Sequence, residues 1–180
     1  VFAIMDSKEF GKEKFGKKHI DKVNGDFEFK NVTFTYANGH KVIDNMNFKI
    51  KANSTVAFVG KSGSGKTTVF NLLCKMYNID SGKITIDGID IRELDKDSIR
   101  GNITIISQNP YIFNLSIRDN LRLVKENITD EDIWNACKTV GIDHFIKTLP
   151  GGLDARLGDN DAISSGEKQL LTIARGMVED

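Results

Sequence analysis

Apolar and polar positions alternate from residue 27 to 36, with Phe27 and Phe29 on one phase and Val32, Phe34 and Tyr36 on the other. Alternation predicts a half-buried strand, and the change of phase predicts a bulge near Lys30 or Asn31. A turn at Asn38-Gly39 leads into a second strand pair at 42–43 and 46–50, so the front of the domain reads as an antiparallel sheet. The runs TVAFV at 55–59 and ITIIS at 103–107 are continuously apolar, which predicts strands buried on both faces. Between them, KITIDGIDI at 83–91 predicts two short strands joined by a tight Asp87-Gly88 turn. Helical spacing takes over at Val69, Leu72, Leu73 and Met76, closed by the turn residues of 78–82. It returns at Ile133, Cys137 and Val140, where Thr129 and Asp132 predict a capping box and Gly141 a stop. A short helix at 143–149 ends before Pro150-Gly151-Gly152, and a last helix carries Leu170, Ile173, Ala174 and Met177 on one face.

With 180 residues and 39% hydrophobic content, the chain suits one domain with room for a subdomain. The 25 basic and 25 acidic residues balance, which argues against a nucleic-acid stripe or a membrane-surface patch. Cys74 and Cys137 stand alone in apolar helical contexts and read as reduced core residues. No apolar run of about eighteen residues is present, so no segment reads as membrane-spanning. The Lys/Gly/Glu-rich run from Lys8 to Lys22 reads as a solvated linker, with Glu9, Glu13 and Asp21 diluting its basic charge against lipid or RNA. A start at Val1, with no Met, basic n-region or signal core, reads as a cut inside a longer chain.

The chemistry concentrates in Gly60-Lys61-Ser62-Gly63-Ser64-Gly65-Lys66-Thr67, followed by Thr68, which fits G-x-x-x-x-G-K-[ST]. Glycines allow backbone angles that turn successive N–H groups inward, forming an anion nest at a helix start whose dipole is also positive. Lys66 then reaches the β- and γ-phosphates, and the Thr67 hydroxyl completes a Mg²⁺ shell made mostly of phosphate oxygens and water. A glycine-rich turn with an incidental lysine is the plain alternative. The apolar run before the motif and the amphipathic pattern after it favour phosphate binding.

On these residues the chain resembles the nucleotide-binding domain of ATP-binding cassette (ABC) transporters of the exporter type. The resemblance covers nearly the whole chain. It implies an α/β fold: a P-loop NTPase (RecA-like) core with an antiparallel β subdomain and an α-helical subdomain, incomplete at the C-terminus. Residues 1–24, opening with VFAIMD, would be a linker from a transmembrane region. Residues 25–180 would be the cassette, with its helical subdomain at about 109–172. Tyr36 lies where the family stacks an aromatic ring on adenine, the plain alternative being an ordinary strand aromatic. Gln108, in TIISQNPYIF, matches the family's glutamine loop, whose amide joins the Mg²⁺ shell or the attacking water. Tyr111, Ile112 and Phe113 would then lie near the surface that meets transmembrane coupling helices, or else belong to the helical core.

The stretch ISSGEKQ aligns with the family signature, commonly L-S-G-G-Q, which is presented in trans to the γ-phosphate held by a second cassette. Ser164 and Gly166 keep the common form, while Ile163, Ser165 and Glu167 depart from it, which implies a working but weakened site. Ser164 and Glu167 also form a capping box, a complete structural explanation on its own. The resemblance further implies MgATP as ligand, with Lys66 and Gln108 in catalytic roles and Thr67 and Gln108 on the metal. It implies a head-to-tail homo- or heterodimer, no nucleic-acid partner, and a place at the cytoplasmic face of the cell membrane. The family's apolar strand ending in Asp-Glu and its later histidine are not found: His19, His40 and His144 fall in the wrong regions, and Glu179-Asp180 has the reverse order. The expectation is therefore an ATPase when intact that powers export. The alternative is a fragment or degenerate cassette that binds ATP without turnover. A soluble ABC protein of translation or repair is disfavoured by VFAIMD and by the lack of basic stripes.

Overall fold

The computed structural model describes residues 13–125, 127–157 and 163–178, and it divides into two compact units, residues 1–103 and 104–180. In the first unit, strand β1 (Phe27–Thr35) pairs antiparallel with β2 (Lys41–Ile50) and with β3 (Ser81–Ile86), and β4 (Ile89–Asp90) completes the order β2-β1-β3-β4. The register shifts between Phe29 and Val32, and Asn31 takes a left-handed φ of 51°. This is the bulge that the phase change predicts, and it turns Phe29, Val32 and Phe34 all into the core. Gly82 lies against it so closely that a Cβ there would come within 2.3 Å of the Asn31 carbonyl oxygen. Asp87 and Gly88, both at positive φ, form the tight turn between β3 and β4. The two strands expected at 42–43 and 46–50 are one strand, with Asn45 at φ 47° and an irregular register marking the break.

Helix α1 (Lys66–Leu73) buries Thr68, Val69, Leu72 and Leu73 against this sheet's core. The pattern predicts that it reaches Met76, but it stops three residues earlier. Lys75 adopts a left-handed φ of 50°, its N–H bonds to the Leu72 carbonyl, and the Met76 N–H bonds to the Asn71 carbonyl. That is a Schellman closure with lysine in the usual glycine place, and it leaves Met76 exposed.

Two expectations are corrected here. The runs 55–59 and 103–107 are not strands: among the described residues neither joins a ladder, and Val59 is 94% and Ile105 44% exposed. A strand buried on both faces needs neighbours to bond and cover it, so its sequence pattern forms a strand only where those neighbours pair with it. Phe58 alone anchors the first run, edge-on to Phe48 and Phe70.

The second correction concerns the charged run from Lys8 to Lys22: residues 8–12 lie outside the described residues, and from residue 13 on the run is largely exposed but is not a free tether. It straps onto helix α2 (Lys96–Arg100) and the segment before it. Gly16 N–H bonds to the Leu94 carbonyl, Lys18 N–H to the Glu93 carbonyl, and Asp95 N–H returns to the Lys18 carbonyl. The Asp87 carboxylate accepts the backbone N–H groups of Asn24, Gly25 and Asp26 at 2.6, 3.1 and 2.9 Å. Phe15, Ile20 and Val23 pack on the first unit's core. Lys75 and Arg100 both lie over the Phe15 ring, and Arg100 pairs with Glu13.

The second unit is helical: α3 (Ile117–Arg122), α4 (Asp130–Val140), α5 (Asp143–Thr148), a 3-10 turn (Gly152–Asp154) and α6 (Ser165–Met177). Its own core joins Leu121, Ile133, Cys137, Ile146, Leu171 and Ala174. The Thr129–Asp132 capping box and the left-handed Gly141 stop form as expected. On α6 the buried face runs through Leu171, Ala174 and Val178 instead of Met177, which is 43% exposed. Both cysteines are free and buried.

Candidate functional site

The loop from Gly60 to Thr67 is shaped by backbone that side chains disfavour. Gly63 and Gly65 stand at φ 80° and 87°, and a Cβ on Gly65 would meet Ile43 Cδ1 and Val42 Cγ1 at 3.0 Å. Left-handed Gly65 is the N-cap of α1. No side chain bonds over the helix start and no acidic residue lies in the first turn. The first N–H groups of α1 therefore lack partners from the helix itself, and they point where an anion is favoured. Lys61, Ser62, Gly63, Ser64 and Thr67 are exposed. The Lys66 ammonium folds across the loop, donating to the carbonyls of Gly60 and Lys61, each at 2.8 Å, and to Ser64 Oγ at 3.3 Å. It sits at the centre of the curl, where it would meet phosphate oxygens.

Tyr36 follows β1 directly and is half-buried. Its backbone is fixed by the Asn38-Gly39 turn, with Gly39 N–H on the Tyr36 carbonyl and Tyr36 N–H on the His40 carbonyl. Its ring packs edge-on to Phe34 and Tyr77, at 4.8 and 5.3 Å between centroids. Its hydroxyl lies 2.9 Å from Thr68 Oγ1 on the first turn of α1. The motif loop, Thr68 and Tyr36 thus share one neighbourhood. Nothing in the motif's spacing points to the Tyr36–Thr68 bond or to Tyr77, since both depend on how β1 crosses α1.

In the second unit, Ser164 Oγ accepts from Glu167 N–H at 3.2 Å, and the Glu167 carboxylate accepts from Ser164 N–H at 2.7 Å. Ser164, Ser165 and Gly166 are exposed. Glu167 turns toward its own helix start, and the capping reading holds in full. Gln169 on the same helix donates to the Gln108 backbone carbonyl at 3.1 Å, so the segment carrying Gln108 and the first turns of α6 are linked. Ile112 packs on the helical core, whereas Tyr111 is 72% exposed and meets Phe113 edge-on. Among the described residues no group of three or more His, Cys, Asp or Glu is placed to hold a metal ion. The Thr67 hydroxyl suits a Mg²⁺ ion carried in on phosphate oxygens better than one held in a protein cage. Among the described residues no helix is long and apolar enough to cross a membrane.

Comparison with known proteins shows the family to which the chain is similar. A family model described as ABC transporter matches residues 43–180. The multidrug resistance protein pgp-1 of Caenorhabditis elegans is 40% identical over 185 residues, covering 100% of this chain and 14% of that protein. The ATP-dependent lipid A-core flippase of Salmonella typhimurium is 41% identical over 184 residues, covering 100% of this chain and 31% of the flippase. A solved bacterial Atm1-family ABC exporter with ATP bound superposes with a TM-score of 0.89 at 31% identity, over 99% of this chain and 32% of that one. The chain thus spans about a third or less of the length of these relatives.

Proposed function

The chain belongs to the ABC transporter family, and from that premise we propose that it is the ATP-binding part of an exporter, working at the cytoplasmic face of a membrane. The observation that carries the reading is the uncapped start of α1 with Lys66 curled into the Gly60–Thr67 loop. The loop amides and Lys66 would hold the β- and γ-phosphates, Thr67 would share the Mg²⁺ ion, and Tyr36 would lie against the base. A Mg²⁺ ion shared by Thr67 and the nucleotide would supply neutralisation of phosphate charge at this loop.

Ser164 to Glu167 would serve a second cassette's nucleotide in a head-to-tail dimer, homo- or heteromeric, and Gln108 would respond to the nucleotide from its loop. The exposed Tyr111 and Phe113 suit a surface for a transmembrane partner. Phosphoryl transfer also needs a group that orients the attacking water, and no carboxylate bonds to Lys66 or to the loop among the described residues. The 180-residue chain is therefore expected to bind ATP with little turnover. A longer version of the protein, spanning more of the length that its relatives have, is expected to hydrolyse ATP and to lose that activity in Lys66→Ala. Phosphate release by the short chain at the longer one's rate would overturn this reading.

A further inference from the structure

We infer that Thr68 is a positioning residue for the nucleotide base, acting through Tyr36. The inference rests on the nucleotide-binding reading and adds to it a tie between the phosphate end and the base end of the ligand. Thr68 is 5% exposed and lies two residues beyond Lys66, so its backbone belongs to the helix turn that would meet the phosphates. Its hydroxyl is turned to the Tyr36 hydroxyl, 2.9 Å away and 32 residues earlier in the chain. Tyr36 is held at its other points by its turn and by aromatic edges: the backbone bonds to His40 and Gly39, and the ring contacts to Phe34 and Tyr77. Among the described residues, this bond at the ring's tip is the hydrogen bond that ties the Tyr36 side chain to the helix bearing the phosphate site.

A base stacks with useful area only when the ring's plane is fixed relative to the phosphates, because ring and cradle must engage one rigid ligand together. Without the hydroxyl pair, the ring keeps its packing but loses its registration to α1. The cost then falls on ligands that carry a base and spares those that carry phosphates alone.

The test measures binding of ATP and of inorganic tripolyphosphate to the 180-residue chain by equilibrium dialysis with Mg²⁺ present. Thr68→Val, which keeps the shape and removes the hydroxyl, is expected to weaken ATP about three- to tenfold, the loss of one neutral hydrogen bond. Tripolyphosphate affinity is expected to stay within about twofold, since no base is there to misplace. Thr68→Ser is expected to restore ATP binding. Tyr36→Phe is expected to match Thr68→Val, with the double variant no weaker than either. Equal losses for ATP and tripolyphosphate, unchanged ATP binding in Thr68→Val, or full additivity would overturn the inference while leaving the nucleotide reading intact. No ATP binding by the unaltered chain would overturn both. Thermal melting of each variant separates a misfolded protein from a mispositioned ring, and Thr68→Ser supplies the folded control.

Discussion

At the start of α1, Gly65 stands in a left-handed conformation with no side chain over the first turn, whereas at the start of α6 Ser164 and Glu167 close a reciprocal capping box. Both segments match motifs for binding phosphate, yet they handle the same exposed backbone donors in opposite ways. The first leaves them open and adds the Lys66 ammonium. The second fills two of them with its own side chains and places a carboxylate beside the positive end of the dipole. By helix geometry the N–H groups of Ser165 and Gly166 still have no helical partner. An open start favours an anion by itself, while a capped start gives up that affinity for helix stability. On the proposed reading, α1 would hold a nucleotide by itself, and α6 would engage one only after another site has placed it.

The sharpest way to break this contrast is Lys66→Ala. Removing a charged donor set at an anion site is expected to weaken ATP roughly 10- to 100-fold, measured by equilibrium dialysis, with the stability of α6 unchanged. Next comes Gly65→Ala, which forces a side chain into a left-handed conformation at about 1–2 kcal/mol and presses on Val42 and Ile43. Urea unfolding is expected to show that loss, and dialysis a parallel fall in ATP affinity. Ser164→Ala removes the α6 cap and is expected to cost about 1 kcal/mol of stability while ATP affinity at the α1 loop stays as it was.

A third helix start sharpens the comparison at smaller scale. Asp95 caps α2 through Ser98 and also accepts from His19 of the strap at 2.7 Å. Hydrogen bonds from Ser98 and then His19 hold the Asp95 carboxyl down to about 2. The bond to Asp95, followed by its charge, raises His19 above the ordinary imidazole value. A raised histidine adds stability that is full below its ordinary pKa and is lost as pH rises through the raised value. Asp95, being depressed, loses its share only as pH falls toward about 2. Thermal melts are therefore expected to show a small loss of stability from mildly acidic to mildly alkaline pH, absent in His19→Gln. A pH dependence equal in both proteins would contradict a stabilising His19–Asp95 pair.

Much of this was legible in the sequence because it rests on local rules. The Gly60–Thr67 loop requires glycine at Gly63 and Gly65, the phase change between Phe29 and Val32 marks a bulge, and the capping boxes at Thr129 and Ser164 are spacing rules. The two largest misreadings concern partners that lie far along the chain. The apolar runs at 55–59 and 103–107 read as strands, but a strand exists only with a neighbour to bond. The charged run reads as a tether because its attachment is made by backbone bonds to Glu93 and Leu94 and by widely spaced Phe15, Ile20 and Val23. Lysine at a left-handed position was equally hidden, since Lys75 ends α1 where composition suggests that the helix continues.

The contrast between the two helix starts is tested most directly by titrating the isotopically labelled chain with MgATP and following backbone amide resonances. The expected result is large, saturable shifts at the amides of Gly63 to Thr68, with those of Ser164 to Glu167 unmoved at the same ATP concentrations. Shifts at Ser164 to Glu167 that saturate together with, or before, those of the α1 loop would contradict it.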